Sequence, residues 1–315
     1  MNSLKLYLGA ILILACTYTE SQTNEIGNAN TAYHGPKIDM HAHAFEKMFF
    51  GGVDYENPLT GKKHIASSSI EKQREETFQQ YKKHQVVKAM VSQGELWKSY
   101  APDLVLIGNN HKNSIEELRK RHAEGNLDVL AEIAPSYDGL LPSDESLEPY
   151  YDLAEELNIP MGYHMYPGGP PGGAYFAYPK TRAHQGKPLQ FEDILLAHPK
   201  MKFFIMHAGW PYLEDMKALM YAHPQVYVEV GVIAWALPRK EFHNFLKGLI
   251  DAGQGKKIMF GTDQMIWPET ITDCVEAINS AEFLTLEQKA DIFYNNAAEF
   301  LGLSEEEIKK HKTDY

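Results

Sequence analysis

From residue 37 onward, short apolar runs alternate with longer stretches in which apolar residues recur every three or four positions. The short runs are Lys37–His41, Val86–Ser92, Leu104–Gly108, Val129–Ala134, Pro160–His164, Phe203–His207, Val226–Gly231 and Lys256–Gly261, and they read as buried strands. The long stretches read as amphipathic helices over Ser67–His84, Ser114–Glu124, Leu147–Leu157, Leu189–Ala197, Leu213–Ala222, Arg239–Asp251 and Leu286–Leu301. In SIEELRKRHAEG, Ile115 and Leu118 share one face and charges fill the rest. Asn158 and Pro160 stop one helix just as the next strand begins. Eight strands alternating with helices predict parallel pairing through right-handed crossovers, closed into a TIM-like (β/α)8 barrel. An open doubly wound sheet is the alternative, but no glycine-rich fingerprint follows the first strand. Neither a repeat nor a composition break divides residues 36–315, which read as one domain.

Composition narrows the class. Hydrophobic residues make up 44% of the 315, which excludes general disorder. The net charge is −12 and no stretch is dense in lysine or arginine, so a nucleic-acid backbone is not the partner. Simple solubility accounts for the acidity.

The start of the chain differs from the rest. Lys5 precedes an apolar stretch from Leu6 to Ala15, too short to span a bilayer and shaped like the core of an export signal. Ile13-Leu14-Ala15-Cys16 resembles the lipobox of bacterial lipoproteins, in which the cysteine carries lipid; a plain secretory signal cut later is the rival. Residues 1–16 are therefore expected to export the protein to the periplasm or outer membrane, anchored through Cys16. Residues 17–35 are polar and read as a tether. With Cys16 lipidated, Cys274 is the remaining thiol and reads as a small buried hydrophobe.

Candidate chemistry lies at the strand ends. His41 and His43 are one residue apart, so in a strand both imidazoles face one side. With 14 histidines in the chain, chance alone supplies roughly 0.6 such pairs, so spacing proves little. Position adds more, because the C-terminal ends of barrel strands converge on one mouth. Strand four carries Glu132, strand five ends in His164, strand six in His207 and strand eight in Asp263. A divalent ion is expected on His41, His43, His164 and Asp263, with water or substrate completing the shell. Singly, each has a plainer role, such as a helix N-cap for Asp263. Together they point to metal.

This set resembles the amidohydrolase superfamily. AHPKMKFFIMHAGWP, HPQVYVEVGV and KIMFGTDQMIWPE are similar to its amidohydrolase-related branch, and NNAAEFLGL to that branch's C-terminal ending. The resemblance covers roughly residues 37–303. It implies a metal-activated water, with Asp263 taking its proton and His207 near the substrate oxygen. Many relatives with two metals carry a bridging lysine on strand four; Glu132 stands there instead, so one ion is favoured, zinc ahead of manganese. A glutamate bridge between two ions is chemically possible; otherwise Glu132 is a polar lining residue or a support for a ligand histidine.

The Pro- and Gly-rich segment 163–179 reads as a loop shaped over the mouth. Tyr163, Tyr166, Trp210 and Trp267 are candidate aromatic walls, and Arg182 a candidate partner for a substrate carboxylate. Glu229 on strand seven has no direction fixed by sequence. Three functions follow. The first is hydrolysis of an amide, ester or lactone of a small molecule. The second is non-oxidative decarboxylation or hydration of a small carboxylic acid, which needs a cationic pocket. The third is a ligand-binding lipoprotein without turnover. Because Arg182 is the one obvious cation, hydrolysis leads. Whether subunits associate as a homo-oligomer is open on the sequence.

Overall fold

A computed structural model of the chain describes residues 32–166, 171–172 and 176–313. The export segment 1–16, Cys16 and residues 17–31 of the tether lie outside the described residues, as do 167–170 and 173–175 of the mouth loop.

Eight parallel strands form one sheet: β1 (Lys37–His43), β4 (Val86–Ser92), β5 (Val105–Asn109), β6 (Val129–Ile133), β7 (Met161–His164), β8 (Phe203–Met206), β9 (Val226–Glu229) and β10 (Ile258–Met259), paired in that order. A two-residue-per-strand hairpin, β2 (Tyr55–Glu56) and β3 (Lys63–His64), stands apart from it. Between β10 and β1 the barrel closes on backbone bonds. Met40 N–H donates to Phe260 O at 2.9 Å, and Asp263 N–H to His41 O at 2.7 Å. The Asp39 carboxylate fastens this seam further, accepting from the N–H and hydroxyl of Thr262, the N–H of His41 and the hydroxyl of Tyr81.

Alternation along the strands sorts the core into two layers. Ile38, Met40, Met90, Val129, Ala131, Phe204, Met206 and Met259 fill the barrel interior, closed off by Tyr294, Ala297 and Phe300. Their neighbours, such as Val91, Ile107, Leu130, Ile133, Ile205 and Val228, pack outward against the helices. Those helices include Ile70–His84, Ile115–Ala123, Glu148–Leu157, Leu213–Ala222, Arg239–Asp251 and Thr270–Asn279. Ser69 and Ser114 cap the first two, each hydroxyl accepting the backbone N–H three residues on.

Two irregularities matter for the mouth. The β1–β4 register shifts between Asp39 and Ala42, and the β6–β7 register shifts between Leu130 and Ile133. Without a shift, residues facing the same way as Ile38 and Met40 would be 42 and 44, leaving the histidines outward. With it, Ala42 joins the outer layer and His41 and His43 turn inward. The same reversal puts Ile133 outside and Glu132 inside.

The strand and helix expectations differ from the structure in particular places. The eighth strand is not Lys256–Gly261 but two residues long, since Phe260 turns to donate to Ile292 O. The helix expected over Leu286–Leu301 carries a π turn at Asp291–Asn295. Thr270–Asn279, the hairpin and the final helix Glu305–Thr313 were not anticipated. Among the described residues, no helix is long and apolar enough to cross a membrane.

Candidate metal centre

Four imidazoles and two carboxylates meet at the mouth. His41 Nε2 lies 3.2 Å from His43 Nε2, and Asp263 Oδ1 lies 2.9 Å from His43 Nε2 and 3.8 Å from His41 Nε2. Glu132 Oε2 faces the same pair at 3.8 and 3.7 Å, while its Oε1 lies 3.4 Å from His164 Nε2. His207 Nε2 is 4.0 Å from Asp263 Oδ2. His207 and Asp263 hold their places with positive φ, 60° and 49°, a strained backbone typical of residues held for function.

The surrounding shell fixes which nitrogens are free. His41 Nδ1 is 3.0 Å from the Glu229 carboxylate and so carries the proton, which leaves the Nε2 lone pair facing the cluster. His207 Nδ1 donates to Gly231 O at 2.9 Å, leaving its Nε2 buried without a partner. His164 Nδ1 and Asp263 Oδ1 are likewise buried without hydrogen-bond partners. Glu229 is fully buried and also accepts the backbone N–H of His207 and Gly231. Gln264 and Gln73 grip the backbone of His43.

Charge favours the same arrangement. Burial pushes the Glu132 carboxyl up, but His164, His41 and His43 outweigh it and hold it well below the ordinary range. Burial likewise opposes ionisation of Asp263, and His41, His43 and His207 outweigh it. Burial lowers His164 to about 4, so its imidazole is neutral. Two carboxylates and four imidazoles thus converge within ion-pair distance of one another, a donor set of oxygen and nitrogen atoms aimed at a common space. The residues present therefore fit a divalent metal ion.

A cavity of about 470 Å³ opens on this cluster and is lined by His43, Glu132, His164 and Asp263. One wall is aromatic: Phe45 stacks on His43 and on Phe49, and Tyr137 stacks on Tyr178 with centroids 3.8 Å apart. Tyr137 also places its hydroxyl 3.0 Å from His164 Nε2. The segment after β5 also lines the cavity, with Asn109, Asn110, His111, Lys112 and Asn113, joined by Glu95 and Arg121. Glu95 pairs with Arg121 at 3.1 Å and Glu117 with it at 2.9 Å, whereas Lys112 has no ion pair among the described residues.

Not every residue expected at the mouth is there. Trp267 is buried, its indole donating to Val53 O and its ring packed near Tyr55 and Trp235. Trp210 donates to Glu241. Tyr163 packs against Phe191 in the outer layer. Arg182 turns its guanidinium to the carbonyls of Pro179 and Thr181. Neither these four nor Tyr166 is among the described residues lining the cavity. The cations that line the cavity are Lys112 and Arg121, not Arg182 as the sequence leads one to expect. GNNHKNS directly follows a predicted strand, so reading the third strand end like the others would have found Lys112.

A model of the amidohydrolase family matches residues 38–303. Among solved structures, the chain is similar to an uncharacterised TIM-barrel protein of Bordetella bronchiseptica, with TM-score 0.66 and 16% identity over 85% of this chain and 98% of that one. It is similar to 4-oxalomesaconate hydratase of Rhodopseudomonas palustris, with TM-score 0.56 and 15% identity over 89% and 100%. It is also similar to 2,6-dihydroxybenzoate decarboxylase of Rhizobium, with TM-score 0.53 and 12% identity over 85% and 99%. At such identities these likenesses speak for the fold. A curated relative, protein fluG of Emericella nidulans, is 21% identical over 138 residues, and the match spans 39% of this chain and 16% of that protein.

Proposed function

The chain belongs to the amidohydrolase family, and from that premise we propose that it is a metal-dependent enzyme acting on a small carboxylic acid, as a non-oxidative decarboxylase or a hydratase. The observation that carries this reading is Lys112, a cation with no ion pair among the described residues, which lines the same cavity as the histidine and carboxylate cluster. A neutral ester or amide gains little from that cation. A carboxylate gains charge-assisted hydrogen bonds. The names of the hydratase and decarboxylase with this fold lend support in the same direction.

A divalent ion, when bound, supplies a Lewis acid that polarises a substrate oxygen. The chain does the rest. Lys112 holds the carboxylate, and the stacked Tyr137 and Tyr178 offer a flat surface to an unsaturated or aromatic body. Asp263 moves one proton at the reacting carbon. In decarboxylation Asp263, ionised at rest, takes a proton from water; the carbon–carboxylate bond breaks, carbon dioxide leaves and that proton takes its place on the carbon. In hydration the oxygen of water joins one alkene carbon, and its proton passes through Asp263 to the other. Hydrolysis of a lactone or ester would use the same Asp263 and is the competing outcome.

The test is a panel of aromatic acids, unsaturated acids and neutral lactones, offered to the zinc- or manganese-loaded protein. Released carbon dioxide or lost alkene absorbance supports the reading. Ring opening of lactones with every acid untouched would overturn it. Lys112→Ala is expected to raise KM for the acid about ten- to a hundredfold with kcat little changed, the loss of one charged hydrogen bond made equally in ground and transition states. Export and lipidation of Cys16 complete the proposal on sequence grounds. A mature protein retaining residues 1–15 by mass would refute that part.

A further inference from the structure

Between β1 and the helix Ile70–His84 the chain makes a strap beside the mouth, residues 49–66. Phe49 at its root lines the cavity, and Gly51 and Gly52 follow with φ of 72° and 73°, a backbone region open to glycine. The strap's two strands, β2 and β3, pair only with each other among the described residues. A ladder that short does not hold alone, so anchors on the body keep it down. Trp267 Nε1 donates to Val53 O at 3.1 Å, Asn57 Nδ2 to Ala236 O at 2.8 Å, and Ser67 N–H to Ile266 O at 3.0 Å. Ile266 and Trp267 lie just beyond Asp263, so the strap rests on the segment that carries it.

The remaining anchor is a histidine. His64 is fully buried, edge-on to Trp235 with centroids 5.2 Å apart and parallel to Tyr55 at 6.1 Å. Neither of its nitrogens has a hydrogen-bond partner. Asp273 Oδ2 lies 3.7 Å from His64 Nδ1, beyond hydrogen-bond reach, and that oxygen and the Tyr55 hydroxyl are also buried without partners. His64, Asp273 and Tyr55 are thus buried together without completing one another's bonds, which makes the closed strap costly to hold.

Charges reach this nest from several sides. Asp273 faces it from the helix Thr270–Asn279, and Lys62 from the hairpin turn, paired with the other Asp273 oxygen. Arg239 approaches from the helix Arg239–Asp251, within reach of the Asp273 charge. Tyr55 on β2 is pushed up to about 12 by burial and stays neutral. Trp235, on the short helix Ile233–Ala236, brings no charge. Burial disfavours a proton on His64, and Lys62 adds to that against the pull of Asp273.

We propose that residues 49–66 form an acid-released strap at the mouth, with His64 as its latch: the neutral imidazole keeps the hairpin down, and its protonation frees the hairpin and draws the Phe49 wall from the cavity. Opening takes up one proton, because a buried neutral ring becomes an ordinary exposed one. The open form therefore gains as pH falls through about 6.5, the ordinary value for histidine. Between pH 7.5 and pH 5 one such histidine shifts the balance by at most about thirtyfold. A more acidic surrounding thus widens the entrance to the cavity.

The test is hydrogen exchange of the full chain, read by mass spectrometry at pH 7.5 and pH 5, with rates corrected for the intrinsic effect of pH. Peptides covering residues 53–66 are expected to lose about ten- to thirtyfold of their protection at pH 5, while those from β4 to β9 keep theirs. His64→Phe, which keeps a ring between Tyr55 and Trp235, should leave the strap equally protected at both pH values. His64→Gln serves the same purpose should the first variant fail to fold. Equal protection of residues 53–66 at both pH values in the unaltered chain overturns the proposal, and so does a loss shared by the whole barrel. A loss that persists without His64 assigns the release to another group and overturns it as well.

Discussion

Asp263→Asn is expected to lower kcat by about a thousandfold while the protein stays folded, because it removes the group that moves the proton and keeps its shape. Asp263 is the one acid that both lines the cavity and joins the two ends of the barrel through its backbone. An amide there still offers an oxygen toward His43, so one metal-directed contact survives. It cannot take up a proton and pass it on at neutral pH. The measurement is single-turnover kinetics beside metal content. A thousandfold loss with metal retained assigns proton transfer to Asp263. A loss that follows metal content instead would make it a ligand alone.

The second large effect is expected at a residue that touches no substrate. Glu229→Ala should destabilise the protein by about 3–5 kcal/mol, since it leaves the His41 ring N–H and two backbone N–H groups buried and unpaired. For a chain this long that corresponds to a fall in melting temperature of about 10 °C. Metal affinity should drop about ten- to a hundredfold as well, because His41 loses the partner that fixes its tautomer. Gly261→Ala should reproduce both losses without touching a charge. A Cβ at residue 261 would overlap Glu229 Oε2 and sit 3.2 Å from His41 Cβ. Thermal melts and metal titrations of the two variants check this. Glu229→Ala with unchanged metal affinity would remove Glu229 from the positioning of His41.

The barrel and most of the ligand cluster were legible from sequence for a definite reason. Parallel strands buried on both faces leave apolar runs, and the chemistry sits where those runs stop, as at His164, His207 and Asp263. What sequence could not supply was direction. Strict alternation from Ile38 and Met40 sends His41 and His43 to the wrong side, and only the register shift brings them in. Glu132 has the same history, turned inward by the shift between Leu130 and Ile133. Glu229, Gln73 and Gln264 act through partners distant in sequence, 188 residues away in the case of Glu229 and His41, so no local pattern announces them. The tryptophans misled because an aromatic near a strand end looks alike whether it lines a cavity or fills the layer behind it.

The seam where Asp39 takes hold of Thr262 joins residues 223 positions apart. A ribosome that has made His41, His43, Glu132, His164 and His207 has yet to make Asp263, which arrives only after the closing strand. A barrel that stops short of Asp263 lacks that donor, and its two ends are not yet joined. Once the ends meet, an ion that binds only the closed form acts as a clasp, adding RT ln(1 + [ion]/Kd) to the cost of opening. Loop-closure entropy sets how slowly the ends find each other. Metal then sets how rarely they part, so in this molecule the reactive centre is also the lock on the fold.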